Sequence, residues 1–477
     1  NYDRAFGDHH VGGMLLYNQD EYNSNVNSSL LNSLPKRRMG IAVRAAYDYA
    51  NRYLFEFNAG YNGSENFAKG HRFGFFPSVS VGWNISQEKF WEPILPVVSE
   101  LKLKASYGSV GNDAIGGDRW IYQSTISTNN GWNYGENGSE GGGGIQVGNV
   151  ENLNVSWEKA YKTNLGFEMR LFDRIKIQAD YFHEKREGVF INRQGLPAIV
   201  GLTTKPKTNI GASVNRGVDA TLEYEEKVGE VFLTGRANFT FNRNKLLNND
   251  EVEHLYKYQN SIGKTFGTGG NHTFGLIAEG LFQSQEEIDN SPTQNLGSTA
   301  MVGDVKYRDV NGDGIINTED KVMISEYGNM PRIQYGLGMN IDYKGFNFGV
   351  CFNGLAMRTL MSSGITPFGQ DDYNVMQFIA NDYWTEANPN PNAAYPRLGL
   401  TDAQTANNTQ PSTYWMRNGN FIRFKTLEIG YRFKHARVYF SGNNLFVFSP
   451  FKLWDPELAW NSYPLQRTFN IGLQLTF

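Results

Sequence analysis

The run Arg467–Phe477 reads "RTFNIGLQLTF", and its alternation decides the fold. Phe469, Ile471, Leu473, Leu475 and Phe477 fall on one side of an extended chain. Thr468, Asn470, Gly472, Gln474 and Thr476 fall on the other. Successive strand side chains point to opposite faces, so this run has one apolar face and one small, polar face. Two settings fit: a sheet edge solvated on one side, or a barrel wall with lipid outside and water inside.

Working back along the chain, the same period recurs. "MGIAVRAAYDYA" sets Met39, Ile41, Val43, Ala45, Tyr47 and Tyr49 against Gly40, Ala42, Arg44, Ala46 and Asp48. "YLFEFNAGY" (53–61) and "FGFFPSVSVGWNI" (73–85) repeat it. So do the pairs flanking tight turns at Asp173–Arg174, Lys344–Gly345 and Lys434–His435, and "VDATLEY" with "VFLTGRANFTF" around "EEKVGE". A further turn is expected at Asn51–Arg52. About 14 strands of roughly 9 to 14 residues result, near the length that a tilted strand needs to cross a bilayer. The non-apolar face carries Arg44, Asp48, Glu56, Lys104, Glu168, Arg170, Asp180, Glu428 and Arg432. A soluble barrel would bury these charges at a cost of several kcal/mol each unless paired, whereas a wet lumen hydrates them. Tight turns alternate with long connections, about 113–154, 246–332 and 358–420. That asymmetry is typical of outer-membrane barrels. An aromatic such as Phe477 at the end of an alternating strand looks like the address read by barrel-assembly machinery; an ordinary edge strand ending in Phe is the alternative.

Composition agrees. The 477 residues carry a net charge of −4, which gives no electrostatic case for nucleic acid. Aromatics make up 14% and there are 52 glycines, a composition suited to strands and turns. The single cysteine, Cys351, excludes an internal disulfide framework. Mean hydropathy is −0.48 and no apolar run is long enough for a transmembrane helix, which leaves a β-barrel open. No enzyme motif survives inspection. "GKT" at Gly263–Thr265 has Tyr258 where a phosphate-binding loop needs glycine, and "HEKRE" at His183 is not H-E-x-x-H.

Several longer words resemble one family. "NVSWEKAYKTNLGFEMRLFDRIKIQADYF", "VNRGVDATLEYE", "GDVKYRDVNGDGIINTEDKVMI", "NPNPNAAYPRL", "GNFIRFKTLEIGYRF" and "YPLQRTFNIGLQLTF" are similar to the SusC-like (SusC/RagA) TonB-dependent outer-membrane transporters of Bacteroidota-type bacteria. The resemblance covers nearly the whole chain. It implies an all-β fold: a transmembrane antiparallel barrel of about 22 strands closed over an N-terminal plug. Residues 1–477 would supply roughly the 14 C-terminal strands, with the plug and preceding strands lying outside this chain. It also implies active import of a large nutrient, most often an oligosaccharide and sometimes a peptide, across the bacterial outer membrane. A SusD-like surface lipoprotein would serve as lid, and TonB–ExbB–ExbD would supply energy through the N-terminal part. No enzymatic activity is implied. Two other readings remain open: a calcium-braced surface protein that binds carbohydrate or adheres, and a passive outer-membrane channel.

Two sets of site residues stand out. "DVNGDGIINTED" (309–320) has the oxygen spacing of a calcium loop. Asp309, Asn311, Asp313, the Ile315 carbonyl, Asn317 and Asp320 would hold Ca²⁺, with Gly314 at the sharp turn. Asp320 stands where a bidentate Glu is usual, so weaker binding is expected. An ion-free Asn/Asp/Gly turn is the alternative. For substrate, Trp120, Trp132, Tyr134 and Trp415 lie in long Gly- and Asn-rich connections, where flat rings beside amide donors suit sugars. Packing of loop against loop is the alternative there. Tyr122, Phe368, Tyr373 and Trp384 invite the same two readings.

Overall fold

The computed structural model describes all residues except 25–32, 115–119, 129–130, 203, 267–273, 363–374, 459–461 and 477. Phe368, Tyr373 and the terminal Phe477 therefore lie outside the described residues. The chain divides into two compact units, Asn1–Ala220 with Asn244–Val252, and Thr221–Arg243 with Glu253–Phe477.

The first unit is built on the strands β1 (Tyr2–Phe6), β2 (His9–Tyr22), β3 (Lys36–Tyr49), β4 (Tyr53–Ser64), β5 (Phe73–Asn84), β6 (Val98–Asn112), β7 (Glu158–Leu171) and β8 (Ile175–Asn192). The strands β9 (Lys207–Val228) and β10 (Val231–Asn248) each divide between the units. The second unit continues with β11 (Ile333–Tyr343), β12 (Phe346–Ala356), β13 (Phe421–Arg432), β14 (Ala436–Phe448) and β15 (Thr468–Leu475). Within each unit, neighbours in sequence are neighbours in the sheet and run antiparallel.

Among the described residues fifteen wall strands are thus present, where alternation suggested about fourteen. The added one is β1. Its "YDRAF" places Arg4 on the same face as Tyr2 and Phe6, so the apolar pattern breaks, and Arg4 instead lies over the Phe6 ring at 4.9 Å. β9 is also far longer than "VDATLEY" suggests. Lys207–Arg216 continues the same apolar row through Ile210, Ala212 and Val214, but Arg216 interrupts it just before Val218. The tight turns at two hairpins sit one residue earlier than expected. Ala50–Asn51 and Phe172–Asp173 hold the positive φ values, between 51° and 56°, that a type I′ hairpin demands. Lys344–Gly345 is as expected. The long connections run 113–157, 249–332 and 357–420, slightly displaced from the sequence estimate.

The alternation holds on both walls. In the first unit Leu15, Ile41, Val43, Val81 and Leu103 are exposed on one face, as are Leu337, Ile471 and Leu473 in the second. Their partners on the opposite face are polar and linked across strands. Lys104 Nζ lies 3.3 Å from Glu168 and 3.1 Å from Asp180, and Arg44 pairs with Glu56. Arg437 pairs with Glu428 in the second unit.

Candidate functional site

The long connections of the second unit fold into a packed module, and the 309–320 turn belongs to it. Short strands Ala278–Leu281 and Val305–Tyr307 pair antiparallel, while Thr293–Gln294 and Ile315–Ile316 pair parallel. Leu276, Leu281, Leu296, Val305, Tyr307, Ile316, Trp384 and Ala393 form its apolar centre. Beside that centre sits a polar cluster with little access to water. Asp304 lies 2.6 Å from Arg397 Nε, accepts 2.7 Å from Asn408 Nδ2 and accepts 2.9 Å from the Met301 amide. Burial pushes the Asp304 carboxyl above its ordinary range, although Arg397 and the donated hydrogen bonds oppose this. Gln294 joins Asn407 at 2.7 Å, and Tyr307 donates to the Asn407 carbonyl at 2.8 Å. Burial likewise raises the Tyr307 phenol. Just before Asp304, Gly303 adopts φ +87°. A Cβ there would clash with the Trp384 ring, so only glycine allows the indole to pack this close.

The 309–320 turn is closed by its own backbone. Asp309 accepts from the amides of Gly312 (2.6 Å) and Gly314 (2.8 Å). Asn311 accepts from Asp313, and Asp313 from Ile315. Asp320 is fully buried and accepts from Val310 and Asn317, each at 2.8 Å. Asn317 and Asp320 form a reciprocal cap on residues 318–320. Gly314 takes φ +83°, as the sharp turn requires. The six candidate donors are all oxygens, which suits a hard divalent cation. The carboxylates, however, face amides rather than one another. Among the described residues, no group of three acidic, histidine or cysteine side chains converges as a metal site. The Tyr258 hydroxyl, donating to the Glu319 carbonyl at 2.8 Å, ties the turn to the start of the long connection.

The four aromatic candidates separate. Trp132 and Tyr134 lie on a short strand paired with Glu140–Gly142 in the first unit. Both are exposed, with ring centroids 5.2 Å apart. Trp120 is half-buried and meets Tyr122 edge-on at 6.2 Å. Trp415 differs from the expectation of a binding ring. It is fully buried, donates to the Asn408 carbonyl at 2.7 Å and packs edge-on against Tyr414 at 4.9 Å. Its faces are spent on the module's interior. Trp384 is likewise buried, so packing of loop against loop is the outcome for both. Sequence reading missed the Asp304–Arg397–Asn408 cluster. The word "GDVKY" holds Asp304, but its partners lie 93 and 104 residues away, and no periodicity marks them.

The comparisons agree with this architecture. The family described as "TonB dependent receptor-like, beta-barrel" matches residues 1–445, and the chain belongs to that family of outer-membrane barrels. A TonB-dependent receptor of Formosa agariphila is 27% identical over 474 residues, covering 91% of this chain and 45% of that protein. The TonB-dependent receptor SusC of Bacteroides thetaiotaomicron is 25% identical over 496 residues, covering 98% of this chain and 46% of that protein. The chain thus spans about half the length of these relatives. The structure of the RagAB peptide transporter superposes with a TM-score of 0.73 at 20% identity, over all of this chain and 54% of that one, a likeness of fold.

Proposed function

We propose that this chain forms wall and outer loops of an outer-membrane importer for a nutrient too large to diffuse through open pores. The similarity to SusC along 98% of the chain carries the reading. The polar face of each unit, with its laterally paired charges, suits a hydrated passage. An oligosaccharide is the favoured cargo, a peptide the second. Trp132 and Tyr134 offer exposed rings in a Gly- and Asn-rich connection, a combination suited to sugar faces. A SusD-like lipoprotein would cover the long-loop side, and TonB–ExbB–ExbD would energise import. The test is uptake of labelled oligosaccharide by cells making the complete protein. Uptake that stops on disruption of tonB supports the reading. Uptake that persists points to a passive channel.

We also propose that the 309–320 turn takes Ca²⁺ through Asp309, Asn311, Asp313, the Ile315 carbonyl, Asn317 and Asp320. The donor spacing and the glycine at the sharp turn support this. The ion would stiffen a turn already organised by backbone amides.

A further inference from the structure

Among the described residues of the first unit, the short-turn side of the wall has one exception. Most strand pairs there are joined by two or three residues, but β5 and β6 are joined by thirteen, "ISQEKFWEPILPV" (85–97). Phe90, Ile94, Leu95 and Val97 in this connection are exposed, Phe90 at 62%. The segment is held in place nonetheless. Trp91 Nε1 donates to the Val98 carbonyl at 3.0 Å, and the Phe172 amide donates to the Val97 carbonyl at 2.9 Å. A pinned segment that shows its apolar side chains is built to be covered.

Directly above it, on the apolar face of β3–β7, lies a shallow cavity of about 780 Å³. One cross-strand row of its lining runs Phe55, Val81, Ala105, Leu165; the next runs Tyr53, Trp83, Leu103. Ala105 has the smallest side chain in its row and forms the floor. At the rim, Tyr53 Oη and Trp83 Nε1 both donate to Glu88, at 2.7 and 3.1 Å, so the two rings stand fixed. Beyond the rim Lys89 is exposed and makes no ion pair among the described residues.

We propose that this groove binds one phospholipid from the leaflet on the short-turn side. Its acyl chain lies over Ala105 between Val81 and Leu165, its glycerol level meets Tyr53 and Trp83, and its phosphate meets Lys89. The groove is continuous with the apolar wall of a chain that belongs to an outer-membrane family, which makes lipid the occupant. Aromatic side chains favour the depth where hydrocarbon meets headgroup, and a lysine beyond them suits a phosphate. The connection 85–97 then lies flat at the interface and closes the lower end with Phe90, Ile94 and Leu95. The inference rests on membership of the membrane family and is independent of any cargo.

The test is native mass spectrometry of the complete protein, purified from its own membrane in mild detergent. The wild type should keep one phospholipid after detergent release. Ala105→Phe, which fills the floor, should retain at least about fivefold less, a change of roughly 1 kcal/mol. Ala237→Phe, on the apolar face of β10 opposite Leu337, should match the wild type. Heat-modifiable gel mobility checks that each variant has folded. A second readout needs no groove-filling variant. Phospholipid brominated on its acyl chains should quench tryptophan fluorescence in wild type, and Trp83→Phe should remove that component. Equal retention by Ala105→Phe and wild type, recovery of detergent or lipopolysaccharide instead of phospholipid, or quenching unchanged in Trp83→Phe would overturn the proposal.

Discussion

Asp304 and Arg397, 93 positions apart in the chain, stand 2.6 Å from one another inside the loop module, with the Asp304 side chain wholly shielded from water. Asn408 and the Met301 amide supply the remaining donors. This pair locks two long connections of the second unit into one body.

Removing one partner of such a pair strands the other. Asp304→Ala should destabilise the module by ~3 kcal/mol, because Arg397, the Asn408 amide and the Met301 N–H all lose their acceptor inside the module. The measurement is limited proteolysis of the connections 249–332 and 357–420 in the folded protein. Cleavage should become markedly faster in the variant while the wall stays resistant.

The helix Gln285–Asp289 should loosen in acid. Glu287 accepts from the Gln283 amide and pairs with Lys306 Nζ, each at 2.9 Å, and these partners hold its carboxyl below the ordinary range. The folded carboxyl therefore binds a proton less readily than the unfolded one. Its stabilisation is complete above the unfolded value, about 4.3, and is lost as pH falls through the lower folded value. Asp304 has the opposite sign, since its raised folded value favours the module as pH falls. Hydrogen exchange of residues 285–289 between pH 5 and 3 should show protection falling in wild type. In Glu287→Gln protection should start lower and change little.

Trp132 and Trp415 should answer differently to truncation. Trp132→Ala removes an exposed ring, so the melting temperature should not move. On the proposed oligosaccharide reading, affinity for the sugar should drop about tenfold, ~1.4 kcal/mol. Trp415→Ala empties a fully buried site and should cost about 3–5 kcal/mol of module stability. Thermal unfolding and ligand titration on the same two variants separate the roles.

Calcium should protect the 309–320 turn. Isothermal titration should detect an affinity in the weak range of extracellular modules, a Kd of about 10⁻⁴–10⁻³ M, lost in Asp309→Asn combined with Asp313→Asn. Hydrogen exchange of the Gly314 and Ile315 amides should slow on adding Ca²⁺ to wild type. Identical exchange with Ca²⁺ and with chelator would leave a turn held by its hydrogen bonds alone.

Much of the wall was legible because a strand's period of two is local. Ile41, Val81, Leu103 and Ile471 declare their face through their immediate neighbours, and the charges opposite them exclude a dry interior. The misreadings also have local causes. Arg4 breaks the pattern in β1, Arg216 interrupts the apolar row of β9, and the turns at Ala50–Asn51 and Phe172–Asp173 place unremarkable residues at positive φ. The loop module was barely legible. A tryptophan in a polar connection looks the same in sequence whether its ring faces solvent, as Trp132 does, or the interior, as Trp415 does. The difference lies in contacts made by distant residues.

The sequence by itself determined the strand pattern, the two-faced wall, the absence of a disulfide framework and the family. Each follows from side-chain chemistry at spacings of a few residues. Only the tertiary structure decided that Asp304, Arg397 and Asn408 share one water-poor cluster, that Asp320 is spent on backbone amides, and that Ala105 floors a groove between Val81 and Leu165. Those facts arise where segments far apart in sequence, or neighbouring strands in a fixed register, are brought together. Burial and cross-strand alignment are properties of the assembled chain.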